Sequence, residues 1–242
     1  MSRQAGLGQV EANLVLEEIG RNLTPSPFLT TAVAAVEALK ASGRLSEEWL
    51  PQIASGAAIV ALAIDENAKH APLATAMRAE RSGNGFKLNG TKSFVLNGHV
   101  ADMMIVVART AGGAGETDGL TMFAVRKDAG QTADPRRLVD SALASKVTFD
   151  DVEVDADAVI GEVDGGWAVL TKLLDAGRVG AAAEMIGVGS AAMDMTVDYL
   201  KQRKQFGRVI GEFQALQHRA AHLYGEMEVA RSTVLKAQQL LD

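Results

Sequence analysis

The sequence predicts a multidomain α+β chain: a helical segment, a strand-rich middle and a second, longer helical segment. Three observations carry this. From Phe213 to Leu241 apolar residues recur at alternating intervals of three and four. Between Ala58 and Val154 lie short β-forming runs separated by turn residues. Ahead of them, the prolines of Thr24-Pro25-Ser26-Pro27 separate amphipathic helical runs. The predicted division is 1–56, 57–160 and 161–242.

In chain order, Leu14, Leu16 and Ile19 belong to a first helix ending near Arg21-Asn22. Proline lacks the donor that a continuing helix needs, so the run stops there. A second helix is predicted from Phe28 to about Ala41, stopped by Ser42-Gly43, and a third over Glu47–Ala54. Ala58–Ile64 is a continuous apolar run. Ser82-Gly83-Asn84-Gly85 reads as a hairpin turn, because Asn and Gly tolerate positive φ. Lys92–Leu96, Met103–Ala108 and Thr121–Arg126 are predicted strands, with Ala111–Gly119 a Gly-rich loop. In the strand Lys146–Val154 apolar parity shifts from odd (Val147, Phe149) to even (Val152, Val154). Side chains alternate faces with period two, so a bulge or turn is expected at Asp150-Asp151.

The last segment reads as two antiparallel helices joined by a short loop at Phe206-Gly207. Met185, Val188, Ala192, Met195 and Tyr199 would form the seam of the first. Phe213, Leu216, Ala220, Leu223, Met227, Ala230, Val234, Ala237 and Leu241 would form that of the second. The second seam is still running at Asp242, so further helices are expected, from more chain or from partner chains. Gly187-Val188-Gly189 lies mid-helix, where small residues ease close packing.

Composition bounds the function. A net charge of −6 over 242 residues argues against general nucleic-acid binding, which needs a cation surplus. With no cysteine, disulfides, thiolate metal sites and cysteine nucleophiles are excluded. No apolar run approaches the roughly 20 residues of a membrane helix. The opening residues carry no apolar leader, so a cytoplasmic protein is predicted. His218 and His222 stand one helical turn apart, but no HExxH surrounds them and no metal site is predicted. GxSxG, phosphate-loop and GxGxxG patterns are absent.

Two charged groupings remain. Lys201, Arg203, Lys204 and Arg208 cluster around Gly207. They suit the negative end of a helix dipole, and equally a phosphate clamp, where the planar guanidinium fork matches phosphate oxygens. Asp175 and Arg178, three apart on a helix, suit an ion pair or a ligand-facing polar pair.

Several segments together resemble the acyl-CoA dehydrogenase family across nearly the whole chain. Leu16-Glu17-Glu18-Ile19-Gly20-Arg21 is similar to a helix end of that family. Phe149-Asp150-Asp151-Val152-Glu153-Val154, then Val159-Ile160-Gly161 and Gly165-Gly166-Trp167, resembles its crossing from β-domain to bundle. Arg203-Lys204-Gln205-Phe206-Gly207 followed by Phe213-Gln214 resembles its RxQFG…FQ signature. The resemblance implies an orthogonal antiparallel β-domain between helical parts, with the C-terminal antiparallel bundle incomplete here. It implies FAD as cofactor, an acyl-CoA substrate, a homo- or heterotetramer, and an electron-transfer flavoprotein as acceptor. By the same resemblance Ile64, Asp65, Phe94, Val95 and Leu96 contact the flavin. Arg203, Gln205, Phe206, Phe213 and Gln214 reach the adenosine diphosphate end across a subunit interface. Asp175 and Arg178 line the acyl-CoA site.

Three departures accompany it. The strand that usually ends in Trp-Ile-Thr reads Phe94-Val95-Leu96, without the hydroxyl. The TEPxxGSD loop reads Asp65-Glu66-Asn67-Ala68-Lys69-His70-Ala71-Pro72, without Gly-Ser. The catalytic Glu is expected beyond residue 242, and at the alternative position used by a minority of members stands Gly177. A non-catalytic FAD-binding partner subunit is therefore the other expectation.

Overall fold

A computed structural model describes residues 8–242. Residues 1–7, part of the opening stretch read for a leader, lie outside the described residues. The chain forms two compact units, one of residues up to Ser26 with Arg178–Asp242, the other of Pro27–Gly177.

The Pro27–Gly177 unit begins with a widened, π-type turn, Leu29–Ala34, running into a short helix, Ala35–Leu39. A further helix, α3, covers Gly43–Ala54, starting earlier than predicted. We number the Ala35–Leu39 helix α2, and α1 is Gln9–Arg21. The strands are β1 (Val60–Ala63), β2 (Arg78–Ser82), β3 (Gly85–Leu96), β4 (Met103–Arg109) and β5 (Leu120–Arg126). They continue with β6 (Thr132–Arg137), β7 (Leu143–Asp155) and β8 (Val159–Ile160). One sheet holds them in the order β6-β7-β3-β2-β4-β5-β8, with β1 also on β4. Most pairings are antiparallel; β1 and β2 each run parallel to β4. β6 was not predicted: its Pro135 reads against a strand, but β6 lies at the sheet edge, where proline is tolerated.

Parity explains why this sheet is buried on both faces. In β4, Met103, Ile105 and Val107 join a core with α2, α3 and Trp49. Met104, Val106 and Ala108 join a second core with Phe86, Leu88 and Phe149. A strand buried on both sides reads as a continuous apolar run rather than an alternation, as Met103–Ala108 does. The Ser82–Gly85 turn forms as expected. The parity shift in β7 is a bulge: Leu88 faces Val152 and Gly90 faces Phe149, and Asp151 adopts φ 50°.

β1 and β2 share one edge of β4. β1 occupies it along Met103–Val106, and β2 meets it only at Arg109. The segment joining them, residues 64–77, leaves the sheet in this gap.

In the other unit, α1 packs with α4 (Gly166–Gln202), which continues from the first unit, and with α5 (Gln214–Leu241). A Cβ on Gly20 would collide with the Glu184 carbonyl, and one on Gly187 with that of Glu17. These glycines let α1 and α4 cross with backbones in contact. Gly189 lies near Met227, Ser190 accepts from Arg231 at 2.8 Å, and Gly211 lies by Leu200, so α4 and α5 run antiparallel as predicted. Arg231 also ion-pairs with Glu17.

The predicted α4 seam is corrected. Met185, Val188, Met195 and Tyr199 are exposed, and Ala183, Ile186 and Ser190 face inward instead. Apolar spacing marks an apolar stripe, but here the glycine-lined stripe gives the closer approach to α1. In α5, Leu216, Met227, Val234 and Ala237 are part-buried, but Leu223 and Ala230 are exposed.

Candidate functional site

Within the Pro27–Gly177 unit the predicted residues 64–65 and 94–96 come together. β3 carries an irregularity between Lys92 and Val95. There Phe94 holds φ 54°, a left-handed conformation that a bulky residue rarely adopts. The bulge breaks strand parity. Lys92 shares the inward parity of Leu88, and beyond the bulge it is Val95 that points inward and is fully buried. Phe94 is left 57% exposed and Leu96 38% exposed. Val95 is thus enclosed, side chain and main chain alike, and its carbonyl accepts the Gly98 amide at 3.1 Å. Ile64 is buried in the first core, while Asp65 is part-exposed. The Ser93 amide donates to the Asp65 carbonyl at 2.7 Å, which joins the end of β1 to the bulge. The Asp65 carboxylate accepts the Ala71 amide at 2.8 Å and contacts His70 Nδ1 at 2.7 Å.

Beneath this surface lies a buried ion pair that the sequence reading did not single out. Lys92 Nζ donates to the Ile64 carbonyl at 2.8 Å and to Glu66 at 2.9 Å, and its side chain is 0% exposed. Glu66 also accepts the Ala76 and Met77 amides at 2.9 and 3.0 Å. Burial raises the carboxyl's affinity for its proton, but Lys92 and the two amides outweigh it, so Glu66 is held below the usual carboxylate range. Burial pulls Lys92 below the usual lysine range, partly offset by Glu66. These directions oppose each other over whether the pair is charged. Two donated amides and the Lys92 ammonium all favour the ionised carboxylate, so the charged pair is the state that fits. The signal available in the sequence was parity: a lysine in register with Leu88 must be inward.

Arg109 is a second buried cation outside the prediction. Its guanidinium donates to the carbonyls of Leu73, Thr75, Glu116 and Asp118, at 2.7–3.2 Å.

In the other unit, Lys204–Gln205 (β9) and Arg208–Val209 (β10) form a two-residue hairpin. Phe206 and Gly207 at its tip have φ 55° and 81°. Two positive φ values define the turn best matched to strand twist, normally filled by Asn-Gly. Arg203, Lys204 and Gln205 are exposed, and Phe206 is 89% exposed. Phe206 meets Phe213 edge-on with centroids 6.2 Å apart, and Arg208 lies over the Phe213 ring at 4.2 Å. Gln214, exposed, opens α5. The structure therefore brings Arg203, Gln205, Phe206 and Phe213 together around one solvent-facing turn.

Comparison with known proteins gives the family. The family descriptions "Acyl-CoA dehydrogenase, middle domain" and "Acyl-CoA dehydrogenase, C-terminal domain" match residues 65–152 and 164–242. The chain belongs to the acyl-CoA dehydrogenase family. The mitochondrial 2-methylacyl-CoA dehydrogenase of Solanum tuberosum is 33% identical over 230 residues, covering 93% of this chain and 51% of that protein. Butyryl-CoA dehydrogenase from Megasphaera elsdenii superposes with a TM-score of 0.85 at 28% identity, over 97% of this chain and 63% of that one. A chain in the structure of the electron transferring flavoprotein of Acidaminococcus fermentans gives 0.86 at 28% identity, over 97% and 64%. This acyl-CoA dehydrogenase chain spans about half the length of the curated relatives it matches.

Asp175 is part-buried and Arg178 exposed, both on α4, and neither is without a partner. His218 and His222 are exposed, the latter 3.6 Å from Glu226. Among the described residues no helix is long and apolar enough to cross a membrane.

Proposed function

We propose that the protein binds FAD and serves the α,β-dehydrogenation of an acyl-CoA thioester. The observation that carries this reading is the exposure of two phenylalanines, Phe94 and Phe206, in left-handed backbone at positions where the family resemblance puts FAD contacts. Strained, exposed aromatic residues cost folding energy and are retained where they serve a site.

The residues present suit the cofactor. Phe94 and Leu96 offer an apolar face for the flavin ring, bordered by Ile64 and Asp65. Val95, fully buried between them, anchors the strand behind that face. Arg203 and Gln205 offer exposed donors for the pyrophosphate, with Phe206, Phe213 and Gln214 beside the adenosine end. When bound, FAD accepts the hydride from the substrate β-carbon. This chain's part is to bind and orient; Asp175 and Arg178 are assigned to the acyl-CoA side. Proton abstraction at the α-carbon is assigned to none of these residues, since Gly177 has no side chain. Assembly as a tetramer, with the 203–208 hairpin reaching a neighbouring subunit's cofactor, and electron transfer to an electron-transfer flavoprotein complete the proposal. So does the division into 1–56, 57–160 and 161–242.

A second reading has its own support. Leu96 lacks a hydroxyl and Gly177 a carboxylate, which favours a partner subunit that holds FAD and completes another chain's site.

Arg203→Ala tests the shared claim. Hydrogen bonds to charged groups contribute about 1.5–3 kcal/mol, so FAD should dissociate roughly ten- to a hundredfold more readily. An exposed side chain leaves stability within about 0.5 kcal/mol. The flavin-to-protein ratio after gel filtration reads the first and urea denaturation the second. Unchanged flavin occupancy refutes the assignment.

A further inference from the structure

The 64–77 segment crosses from β1 to β2 without regular structure apart from one short turn at Pro72–Ala74. An irregular crossover of this length is ordinarily mobile. This one is tied at both ends and at its 71–75 turn, with residues 67–69 exposed between them. At its start Lys92 takes the Ile64 carbonyl, and the Ser93 hydroxyl takes that of Glu66 at 3.1 Å. Asp65 closes the outgoing turn on the Ala71 amide. Arg109 takes the carbonyls of Leu73 and Thr75, and the Gly115 amide donates to Leu73 at 2.7 Å. At its end Glu66 caps the Ala76 and Met77 amides. The neck of the loop is thus a single carboxylate, held by a single ammonium that is wholly buried.

The same ammonium lies beside the bulge that turns Phe94 outward. Lys92 reaches Ile64 and Glu66 through its side chain, and its next neighbour, Ser93, holds Asp65 through the backbone. Its removal would loosen the neck of the crossover, at Ile64 and Glu66, directly beside the Phe94 bulge. We propose that Lys92 is a positioning residue, which with Glu66 holds the 64–77 crossover and the Phe94 bulge as a wall built before the cofactor arrives. The inference rests on the FAD reading and deepens it: no ordering cost remains to be met on binding, which favours affinity.

The test uses the whole chain. Lys92→Met removes the ammonium. Glu66→Gln is milder and covers the case in which the first variant does not fold. Amide hydrogen exchange is followed without cofactor, and FAD is then titrated by flavin fluorescence. The wild-type Ala76 and Met77 amides should be protected before FAD is added. In Glu66→Gln they should exchange about ten- to a hundredfold faster, from the loss of charge-assisted bonds, while sheet amides in β4 and β5 stay as they were. FAD affinity should fall about tenfold, and the visible circular dichroism of bound flavin should change shape, which a remote loss of stability would not cause. Faster loop exchange with unaltered FAD affinity and dichroism overturns the assignment, as does a wild-type loop unprotected before FAD. If wild-type protein binds no FAD at all, the flavin reading fails and the wall has no cofactor to meet. If wild-type protein binds FAD and both variants bind it equally well, the Lys92 inference alone fails.

Discussion

Phe206 stands at a hairpin tip where the turn asks for Asn. A left-handed backbone costs a residue with a Cβ about 1–2 kcal/mol, and Asn visits it more readily. No burial offsets that cost, because the ring is almost fully in solvent. Phe206→Asn is therefore expected to raise stability by up to about 1 kcal/mol while weakening FAD retention. Paired denaturation and flavin-occupancy measurements check both signs. A variant that gains stability and keeps its flavin would leave the ring without a function. Phe94 makes the same point inside β3: its spacing reads as an ordinary strand residue, and only the observed bulge shows it turned outward.

At the scale of elements, α1 and α4 meet through glycine. Gly187→Ala would gain about 1 kcal/mol of helix propensity in isolation. Here the added methyl meets the Glu17 carbonyl, and overpacking of this kind costs about 1–3 kcal/mol. The clash is with backbone, which cannot rotate away, so net destabilisation is expected in urea denaturation. Gly225→Ala on α5, where a Cβ meets nothing within 4 Å, is the control and should be neutral or stabilising. Equal effects from the two would show that propensity alone governs. The glycines at 187 and 189 were legible as packing residues. The stripe of Met185, Val188, Met195 and Tyr199 was legible as a seam and proved to be the exposed face, because spacing shows which residues share a side and not which side is covered.

For the whole molecule, the half-buried Glu66 carboxylate links stability to pH. Glu66 is held below the ordinary glutamate value of 4.5. Its contribution is present above 4.5 and is lost as pH falls through the lower, folded-state value. Lys92, held below 10.5, acts at the other end: the unfolded chain binds a proton more readily, so this cost shrinks as pH rises toward 10.5. Denaturation midpoints should fall on acidification below 4.5, and Glu66→Gln should show a shallower fall. A slope identical to wild type would remove Glu66 from the account.

The sequence by itself determined the order of helical and strand-rich parts, the turn at Ser82–Gly85, the β7 bulge, the antiparallel pair α4 and α5, and the family. Each of these is written in local chemistry: period, turn residues, parity and a short signature. Only the tertiary structure decided that Lys92 and Arg109 are buried and, with half-buried Glu66, joined to one crossover, that Val95 points inward while Phe94 does not, and which face of α4 is covered. Those outcomes depend on partners distant in the chain. Burying a charge is tolerable only where such partners converge, and strand parity, which turns Lys92 inward, does not say which partners those are.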